Sequence, residues 1–265
     1  MQSACVVAIG GLDPGGGAGL AADLRGVLAA GAFGCAVIAV VTVQSTSGLR
    51  SVRAIAPREV VAQAREVLRH QRVRAIKTGA LGSGANVRAV GELLAMHRDL
   101  PAFVDPVMTP TRGRGRLLAE RAVAEVRRSL LPRATLVTAN VPEAEALTGK
   151  RVTSVSEAHD AALALCKLGA HAAIVKGGHL SGTHAVDVLA LGGEVTEIRS
   201  RRLRLPPIHG GGCTFASLVA GRVASDTGSS GDVALLDAIR WAKRAHHRAL
   251  ADARDVGGDM RVLVP

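Results

Sequence analysis

The feature that most constrains the fold of this chain is the alternation of short apolar runs with segments of helical composition. Ala4–Gly10 is an apolar run and Ala36–Val43 is rich in β-branched residues, as expected of buried strands. Within Pro57–His70 the apolar residues instead recur at the three- and four-residue spacing of a helix. Strands that alternate with helices predict βαβ units and a sheet that is mainly parallel.

The same pattern continues along the chain, and no linker, internal repeat or low-complexity segment divides it. Further strands are predicted at Ala75–Thr78, Ala102–Asp105, Ala134–Thr138 and Ala172–Val175, with a hairpin of Val186–Leu191 and Val195–Arg199. Further helices are predicted at Ala18–Ala30, Ala85–His97, Ala119–Leu130, Ser154–Lys167, from Gly210–Gly212 to about Ala224, and at Val233–Ala251. We therefore predict one α/β domain over residues 1–265, with a mainly parallel central sheet and helices on both faces.

The composition excludes other classes of protein. With 48% hydrophobic residues the chain can bury a large core, yet no apolar run reaches the roughly 18 residues of a membrane span. The net charge of +11 could indicate nucleic acid, but only 2% of the residues are aromatic, so base-stacking surfaces are nearly absent. The 4 Cys lie far apart, which excludes a disulfide framework or a zinc ribbon. We expect a cytoplasmic protein that binds neither nucleic acid nor a membrane.

Polar and glycine-rich residues follow the predicted strands, and ligands of parallel sheets bind at that edge. Gly210, Gly211 and Gly212 open a helix, so their N–H groups can converge on an anion at the positive end of the helix dipole. The alternative for these glycines is a flexible turn. Cys213 stands at the same helix start, where the pKa of a thiol is expected to fall; a merely buried Cys is the alternative.

Two segments after strands could contact a nucleotide. Asn140 and Glu143 surround a Pro at a predicted helix start; Asn140 could cap that helix, or both residues could hold Mg²⁺ through water. Lys176 ends an apolar strand and precedes two glycines, which suits a phosphate contact. The GxxxxGK[ST] pattern does not occur, which excludes a P-loop fold.

Taken together, these segments resemble the ribokinase-like superfamily, and specifically its hydroxymethylpyrimidine and phosphomethylpyrimidine kinases. The matching segments are Gly10–Asp23, Val43–Thr46 with Gly48, Lys77–Leu81, Val104–Met108, Asn140–Glu143, Val175–Leu180 and His209–Thr214. They occur in the family's order over nearly the whole chain, which is far more specific than any one of them.

The resemblance implies a kinase that uses ATP and Mg²⁺ in thiamine biosynthesis and forms a homodimer. Its substrates would be 4-amino-5-hydroxymethyl-2-methylpyrimidine and then the resulting monophosphate. Gln44 resembles the residue that reads the edge of the pyrimidine. The residues that resemble the walls of the pyrimidine pocket are Gly11, Ala18 and Val107.

The resemblance also assigns residues to the phosphates. Gly210–Cys213 resemble the anion hole, and Cys213 stands where related sugar kinases carry an Asp base. We therefore expect Cys213 to take the proton of the substrate alcohol in the first phosphorylation. The residues that resemble the family's phosphate and metal contacts are Lys176, Asn140, Glu143 and Asp105, the last three holding Mg²⁺ mostly through water.

The chain departs from the family at a few positions. Gly211 stands where the family usually has Thr, and Ala80 stands where a Met often lines the pyrimidine pocket. The segment Thr109–Arg116 replaces a Lys-containing stretch. We predict that it is a mobile lid in which Arg112 or Arg114 supplies the charge of the usual Lys; a solvated loop is the alternative.

Two other functions remain open at this point. Pyridoxal also carries a hydroxymethyl group on a six-membered aromatic nitrogen ring, so a pyridoxal-type kinase would need a similar pocket. A non-catalytic protein that binds pyrimidines is the second alternative, although the presence of Cys213, Asn140, Glu143 and Lys176 argues against it.

Overall fold

The computed structural model describes residues 3–113, 115–226, 228 and 230–265. Nine strands form one sheet in the order β3-β2-β1-β4-β5-β6-β7-β8-β9. They are β1 Cys5–Leu12, β2 Phe33–Ser45, β3 Gly48–Ala54, β4 Val73–Thr78, β5 Ala102–Val104, β6 Leu136–Asn140, β7 Ala172–Lys176, β8 His184–Leu191 and β9 Glu194–Arg201. The six central strands of this order, β2, β1, β4, β5, β6 and β7, are parallel to one another. At the two edges, β3, β8 and β9 pair in antiparallel fashion. A short parallel pair, β10 Ile208–His209 and β11 Arg261–Val262, lies outside this sheet.

Helices cover both faces of the sheet, so the predicted fold class is confirmed. The helices are α1 Gly19–Ala29, α2 Pro57–His70, α3 Gly84–Met96, α4 Val123–Glu125, α5 Val141–Thr148, α6 Val155–Lys167, α7 Gly211–Ser225 and α8 Gly231–Ala251. Alternate residues of one strand enter opposite cores: Val6 belongs to the core that includes residues of α1, α7 and α8, and Val7 to the core that includes residues of α2, α3, α5 and α6. No helix in the described part of the chain is long and apolar enough to cross a membrane.

Two elements differ from the sequence predictions. The predicted helix Ala119–Leu130 is helical from Glu120 to Leu130 but irregular, because it consists of a 3₁₀ turn, the single turn α4 and a π-helix at Val126–Leu130. The wider π turn lets Leu130 and its neighbour Leu131 both reach the core, and Pro132 has no N–H with which to continue the helix. Strand β3 was not predicted; it is an edge strand with four of seven residues exposed, so its sequence has no clear apolar alternation.

Candidate active site

The site lies at the carboxyl ends of the parallel strands, where α1, α5 and α7 begin. A small cavity of about 120 Å³ opens there. Twelve of the predicted site residues line this cavity, and only Arg112 and Arg114 are not among them. The twelve are Gly11, Ala18, Gln44, Asp105, Val107, Asn140, Glu143, Lys176, Gly210, Gly211, Gly212 and Cys213. Arg112 is not among the lining residues; its guanidinium lies 3.6 Å from Asp259, and both side chains are about half exposed. Arg114 lies outside the described residues.

The glycines at the start of α7 allow close approach of the backbone to charged side chains. Gly210 has a φ of +78°, and a Cβ there would lie 2.1 Å from the Gly17 carbonyl oxygen, so only glycine fits. A Cβ on Gly212 would lie 3.1 Å from Lys176 Nζ. The absence of a side chain at Gly212 thus leaves the start of α7 close to the Lys176 ammonium, and a helix N-terminus next to a positive charge suits an anion.

Lys176 and Asp105 form an ion pair at the floor of this helix start. Lys176 Nζ donates to Asp105 Oδ1 over 3.0 Å, and the Thr138 hydroxyl donates to the same oxygen over 3.0 Å. Burial opposes ionisation of Asp105, but the nearby Lys176 and Lys77 ammonium groups outweigh it and hold the pKa of Asp105 below its usual range. The pair is therefore charged, with Lys176 16% exposed towards the cavity.

Asn140 and Glu143 form a capping box at the start of α5. Asn140 Oδ1 accepts from the Glu143 N–H over 2.9 Å, and Glu143 Oε2 accepts from the Asn140 N–H over 2.8 Å. The capping alternative is therefore confirmed, and the Met108 backbone is a further hydrogen-bond partner of the Glu143 carboxylate. Burial raises the pKa of Glu143 to about 7, although the nearby Lys176 lowers it.

The oxygen ligands in the cavity fit a hydrated magnesium ion. Within the described residues no group of three or more His, Cys, Asp or Glu side chains is placed to hold a metal. Asp105, Glu143 and Asn140 nevertheless line the same cavity as Lys176 and carry carboxylate and amide oxygens. Mg²⁺ keeps several waters and binds one or two carboxylates plus substrate phosphates, so this set suits Mg²⁺ better than a metal that needs a closed cage.

The expected fall in the pKa of the Cys213 thiol is not found in this structure. Burial raises the pKa of the Cys213 thiol to about 12, and the negative charges of Asp23 and Asp105 add to the effect, whereas Lys77 opposes it. The helix start was expected to lower this pKa, but desolvation of the thiolate is the larger effect. Cys213 therefore faces the cavity as a neutral thiol.

A buried ion pair that lines the small cavity joins two of the segments that carry the family resemblance, Gly10–Asp23 and Lys77–Leu81. Lys77 Nζ donates to both oxygens of Asp23 over 2.8 and 2.9 Å, and the Ser217 hydroxyl donates to Asp23 over 2.8 Å. Both charged side chains have 0–1% exposure. Despite burial, the Asp23 carboxylate raises the pKa of Lys77. The sequence signal that could have identified this pair is a Lys inside a predicted buried strand, in a chain with few Lys.

A second buried pair, Asp13 and His209, closes the opposite wall. His209 Nε2 lies 2.8 Å from Asp13 Oδ2, and the two Asp13 oxygens also accept from the Gly15 and Ala18 N–H groups over 2.9 and 2.8 Å. Burial opposes ionisation, but the His209 hydrogen bond and the N–H donors lower the pKa of Asp13. Asp13 thereby fixes the glycine-rich loop that carries Ala18 into the cavity.

A large cavity of about 650 Å³ continues from the small one towards α8, and the two share Lys176, Gly211 and Gly212. Its wall includes Asp187, Arg202, Lys243, His246 and Leu250. Lys243 Nζ lies 2.5 Å from Asp187 Oδ2, and His246 Nε2 lies 2.9 Å from the Gly211 carbonyl oxygen. Burial, aided by Lys243, lowers the pKa of His246 to about 4. None of these contacts was predicted from the sequence.

The sheet and the glycine-rich helix start, with Lys and Asp side chains between two adjoining cavities, define a small-molecule kinase of the ribokinase-like class. The Bacillus subtilis pyridoxal kinase, solved as an ADP complex, superposes with a TM-score of 0.88; it is 26% identical and the match covers 99% of this chain and 97% of that chain. The phosphomethylpyrimidine kinase of Clostridium difficile 630 has a TM-score of 0.76 at 28% identity, over 92% of this chain and 99% of that chain.

The chain belongs to the phosphomethylpyrimidine kinase family, whose model matches residues 13–263. It is 42% identical over 253 residues to the hydroxymethylpyrimidine/phosphomethylpyrimidine kinase of Streptomyces coelicolor, a match that covers 96% of this chain and 91% of the relative. The resemblance read from the sequence is therefore confirmed, and the chain is a kinase of this family.

Proposed function

We propose that the chain transfers the terminal phosphoryl group of ATP to 4-amino-5-hydroxymethyl-2-methylpyrimidine, and then phosphorylates the monophosphate to the diphosphate used in thiamine biosynthesis. The observation that carries this proposal is the junction of the two cavities at Lys176, Gly211 and Gly212. An acceptor in the small cavity and a nucleotide in the large cavity would meet at these N–H groups and this ammonium.

The small cavity suits a single flat ring. Gly11, Ala18 and Ala80 present little or no side chain, so the walls leave room for a ring while Val107 packs against it. The pairing of β2 with β3 shifts by a β-bulge between Val43 and Gln44, and a bulge changes the direction in which a strand side chain points. Its planar amide can donate to a ring nitrogen of the ligand and accept from a neighbouring amine of the ligand, and an aminopyrimidine presents these two groups side by side.

The large cavity suits the nucleotide. The Bacillus subtilis pyridoxal kinase of similar shape was solved with ADP. Lys176 and the N–H groups of Gly211 and Gly212 would bind the phosphates, and Lys243 lies further along the same wall. Mg²⁺ would supply charge neutralisation between phosphate oxygens, held mostly through water by Asp105, Asn140 and Glu143.

The residues at the junction would act by position and charge. Transfer of a phosphoryl group needs little covalent chemistry from the protein, because the charge on the transferred group is what must be stabilised. Lys176 and the glycine N–H groups offer fixed positive charge at that point. Cys213 would contact the hydroxymethyl group as a neutral thiol.

The segment Thr109–Arg116 would form a lid. Thr109, Pro110 and Thr111 line both cavities, so a small movement of this segment would cover the junction. Arg112 pairs with Asp259 at half-exposed positions and could exchange this partner for a phosphate. A homodimer in the cytoplasm is proposed on the family resemblance alone.

The proposal is tested by measuring ADP release from ATP and Mg²⁺ with three acceptors: the hydroxymethylpyrimidine, its monophosphate and pyridoxal. We expect turnover with both pyrimidines. Pyridoxal is a second candidate because the pyridoxal kinase fold matches with a TM-score of 0.88. Turnover with pyridoxal alone would replace the proposal with a pyridoxal kinase, and no turnover with any acceptor would favour a binding protein.

A further inference from the structure

The orientation of the Gln44 amide decides which ring edge the small cavity accepts. An amide can exchange its oxygen and its amino group by a half-turn, so its neighbours determine which group points where. In the structure Gln44 Oε1 lies 3.3 Å from Thr42 Oγ1, and Gln44 Nε2 lies 3.4 Å from His209 Nε2. Both neighbours are buried, at 5% and 1% exposure, so their hydrogen-bonding capacity is fixed by the protein.

Thr42 can only accept a hydrogen bond from Gln44. Its hydroxyl has a single proton, and the Leu12 carbonyl oxygen lies 2.9 Å away, closer than the Gln44 oxygen. A hydroxyl that donates to Leu12 presents lone pairs to its other neighbours. The amino group of Gln44, and not its oxygen, is therefore the matching partner on the Thr42 side.

His209 Nε2 cannot accept a hydrogen bond from the Gln44 amino group. This nitrogen lies 2.8 Å from a carboxylate oxygen of Asp13, which requires a proton on Nε2. A donor at Nε2 facing the Gln44 amino group is unfavourable, so the amide oxygen belongs on the His209 side.

We infer that Thr42 and His209 together hold the Gln44 amide with its amino group towards Thr42 and its oxygen towards His209. This inference rests on the proposed function, and it makes Thr42 a positioning residue that sets specificity. The free N–H and oxygen of the amide then pair with a ring nitrogen on the Thr42 side and an exocyclic amine on the His209 side.

The orientation agrees with the position of the reacting group. In the proposed substrate the hydroxymethyl carbon is next to the amine, on the side away from the paired ring nitrogen. An amine on the His209 side therefore turns the hydroxymethyl group towards Gly210–Cys213, which follow His209 directly in the chain and line the same cavity. The reverse orientation would turn it away.

The test compares the 4-amino substrate with its 4-oxo analogue, 5-hydroxymethyl-2-methylpyrimidin-4-one, which presents the reversed pattern of an oxygen acceptor beside an N–H donor. We expect the wild-type protein to prefer the amine in kcat/KM. Thr42→Val, which keeps the shape but cannot accept, should reduce this preference about tenfold, equal to about 1.4 kcal/mol. It should act mainly through KM for the pyrimidine, and Thr42→Ser should restore the preference.

A double-substitution cycle provides the second measurement. If Thr42 acts through the amide, adding Thr42→Val to Gln44→Ala should leave the preference between the two pyrimidines unchanged. Equal losses for both pyrimidines in Thr42→Val, or no preference in the wild-type protein, would overturn the inference. Lack of turnover with either pyrimidine in the wild-type protein would overturn the proposed function instead.

Discussion

The small and the large cavity differ in how their charged groups are paired. At the small cavity, Asp23–Lys77 and Asp13–His209 are pairs with at most 3% exposure, closed inside the protein. At the large cavity, Lys176 and Lys243 are 16% and 12% exposed while they pair with Asp105 and Asp187. Under the proposed function, the acceptor side would thus be preformed, whereas the nucleotide side would exchange ion pairs within the protein for bonds to phosphates.

This difference separates the effects of substitutions. Substitution of one member of a fully buried pair leaves the other charge without water or a partner, which lowers the free energy of unfolding. Removal of Lys176 or Lys243 leaves an Asp with 2% or 7% exposure beside a cavity that water can enter, so it should cost catalysis before it costs stability. The following predictions test this separation, beginning with the largest expected effect.

Lys77→Met should destabilise the protein by about 3–5 kcal/mol, because it leaves the Asp23 carboxylate buried and unpaired. The measurement is the free energy of unfolding in urea. Lys150→Met, the same change at an exposed position, serves as the control and should have little effect. Adding Asp23→Leu to Lys77→Met should recover part of the stability. If Lys77→Met alone is as stable as the wild-type protein, Asp23 does not remain buried and unpaired, and the prediction is wrong.

Lys176→Met should lower kcat by about 10²–10³-fold, the usual cost of removing one group that stabilises transition-state charge. Its melting temperature should change much less than that of Lys77→Met, because Thr138 and Lys77 still face Asp105. Steady-state kinetics and thermal melts of both variants check this. A large loss of stability with unchanged kcat would reverse the comparison between the two cavities.

His246 should make the protein less stable in mild acid. Its folded pKa of about 4 lies below the value of about 6.5 expected in the unfolded chain, so between these values only the unfolded state binds the proton. Stability should therefore fall by about 2 kcal/mol from pH 7 to pH 5 through this group. Urea unfolding at both pH values should show the loss reduced in His246→Asn. The exposed control His70→Asn should keep the wild-type profile; an unchanged slope in His246→Asn would contradict the prediction.

Gln44→Ala should raise KM for the pyrimidine by the equivalent of about 1–3 kcal/mol, because the partner groups of the ligand stay unpaired in a buried site. KM for ATP should remain nearly unchanged, since Gln44 lines the small cavity and not the large one. Steady-state kinetics with each substrate varied in turn give both values. Equal increases in KM for the pyrimidine and for ATP would show that Gln44 does not bind the acceptor specifically.

The predicted site residues that the structure brings to one cavity carry local signals. Lys176 and Gly210–Gly212 follow strands or open a helix, and such positions meet at one edge of a parallel sheet whatever the details of packing. The capping box of Asn140 and Glu143 is local in the same way, since its two partners are three residues apart.

The contacts that the sequence did not predict join distant parts of the chain. Lys77 and Asp23 are separated by 54 positions, and His209 and Asp13 by 196, so no local pattern relates them. The raised pKa of Cys213 is likewise a property of burial in the folded protein. A helix start alone predicted the opposite direction, because desolvation cannot be read from neighbouring residues.

Cys213→Ala gives the smallest expected effect and tests that correction directly. With a pKa of about 12, the thiol stays protonated at pH 7–9 and cannot take the proton of the first acceptor, a neutral alcohol. The second acceptor is a phosphate monoester that is largely ionised above its second pKa of about 6 and needs no base. We therefore expect single-turnover rates of the two steps to change by the same factor, within about threefold, whereas base catalysis is typically worth about 10²–10⁴-fold. A loss of that size confined to the first step would restore Cys213 as the base. It would also show that the nucleotide-bound site lowers the pKa of a thiol that burial otherwise raises.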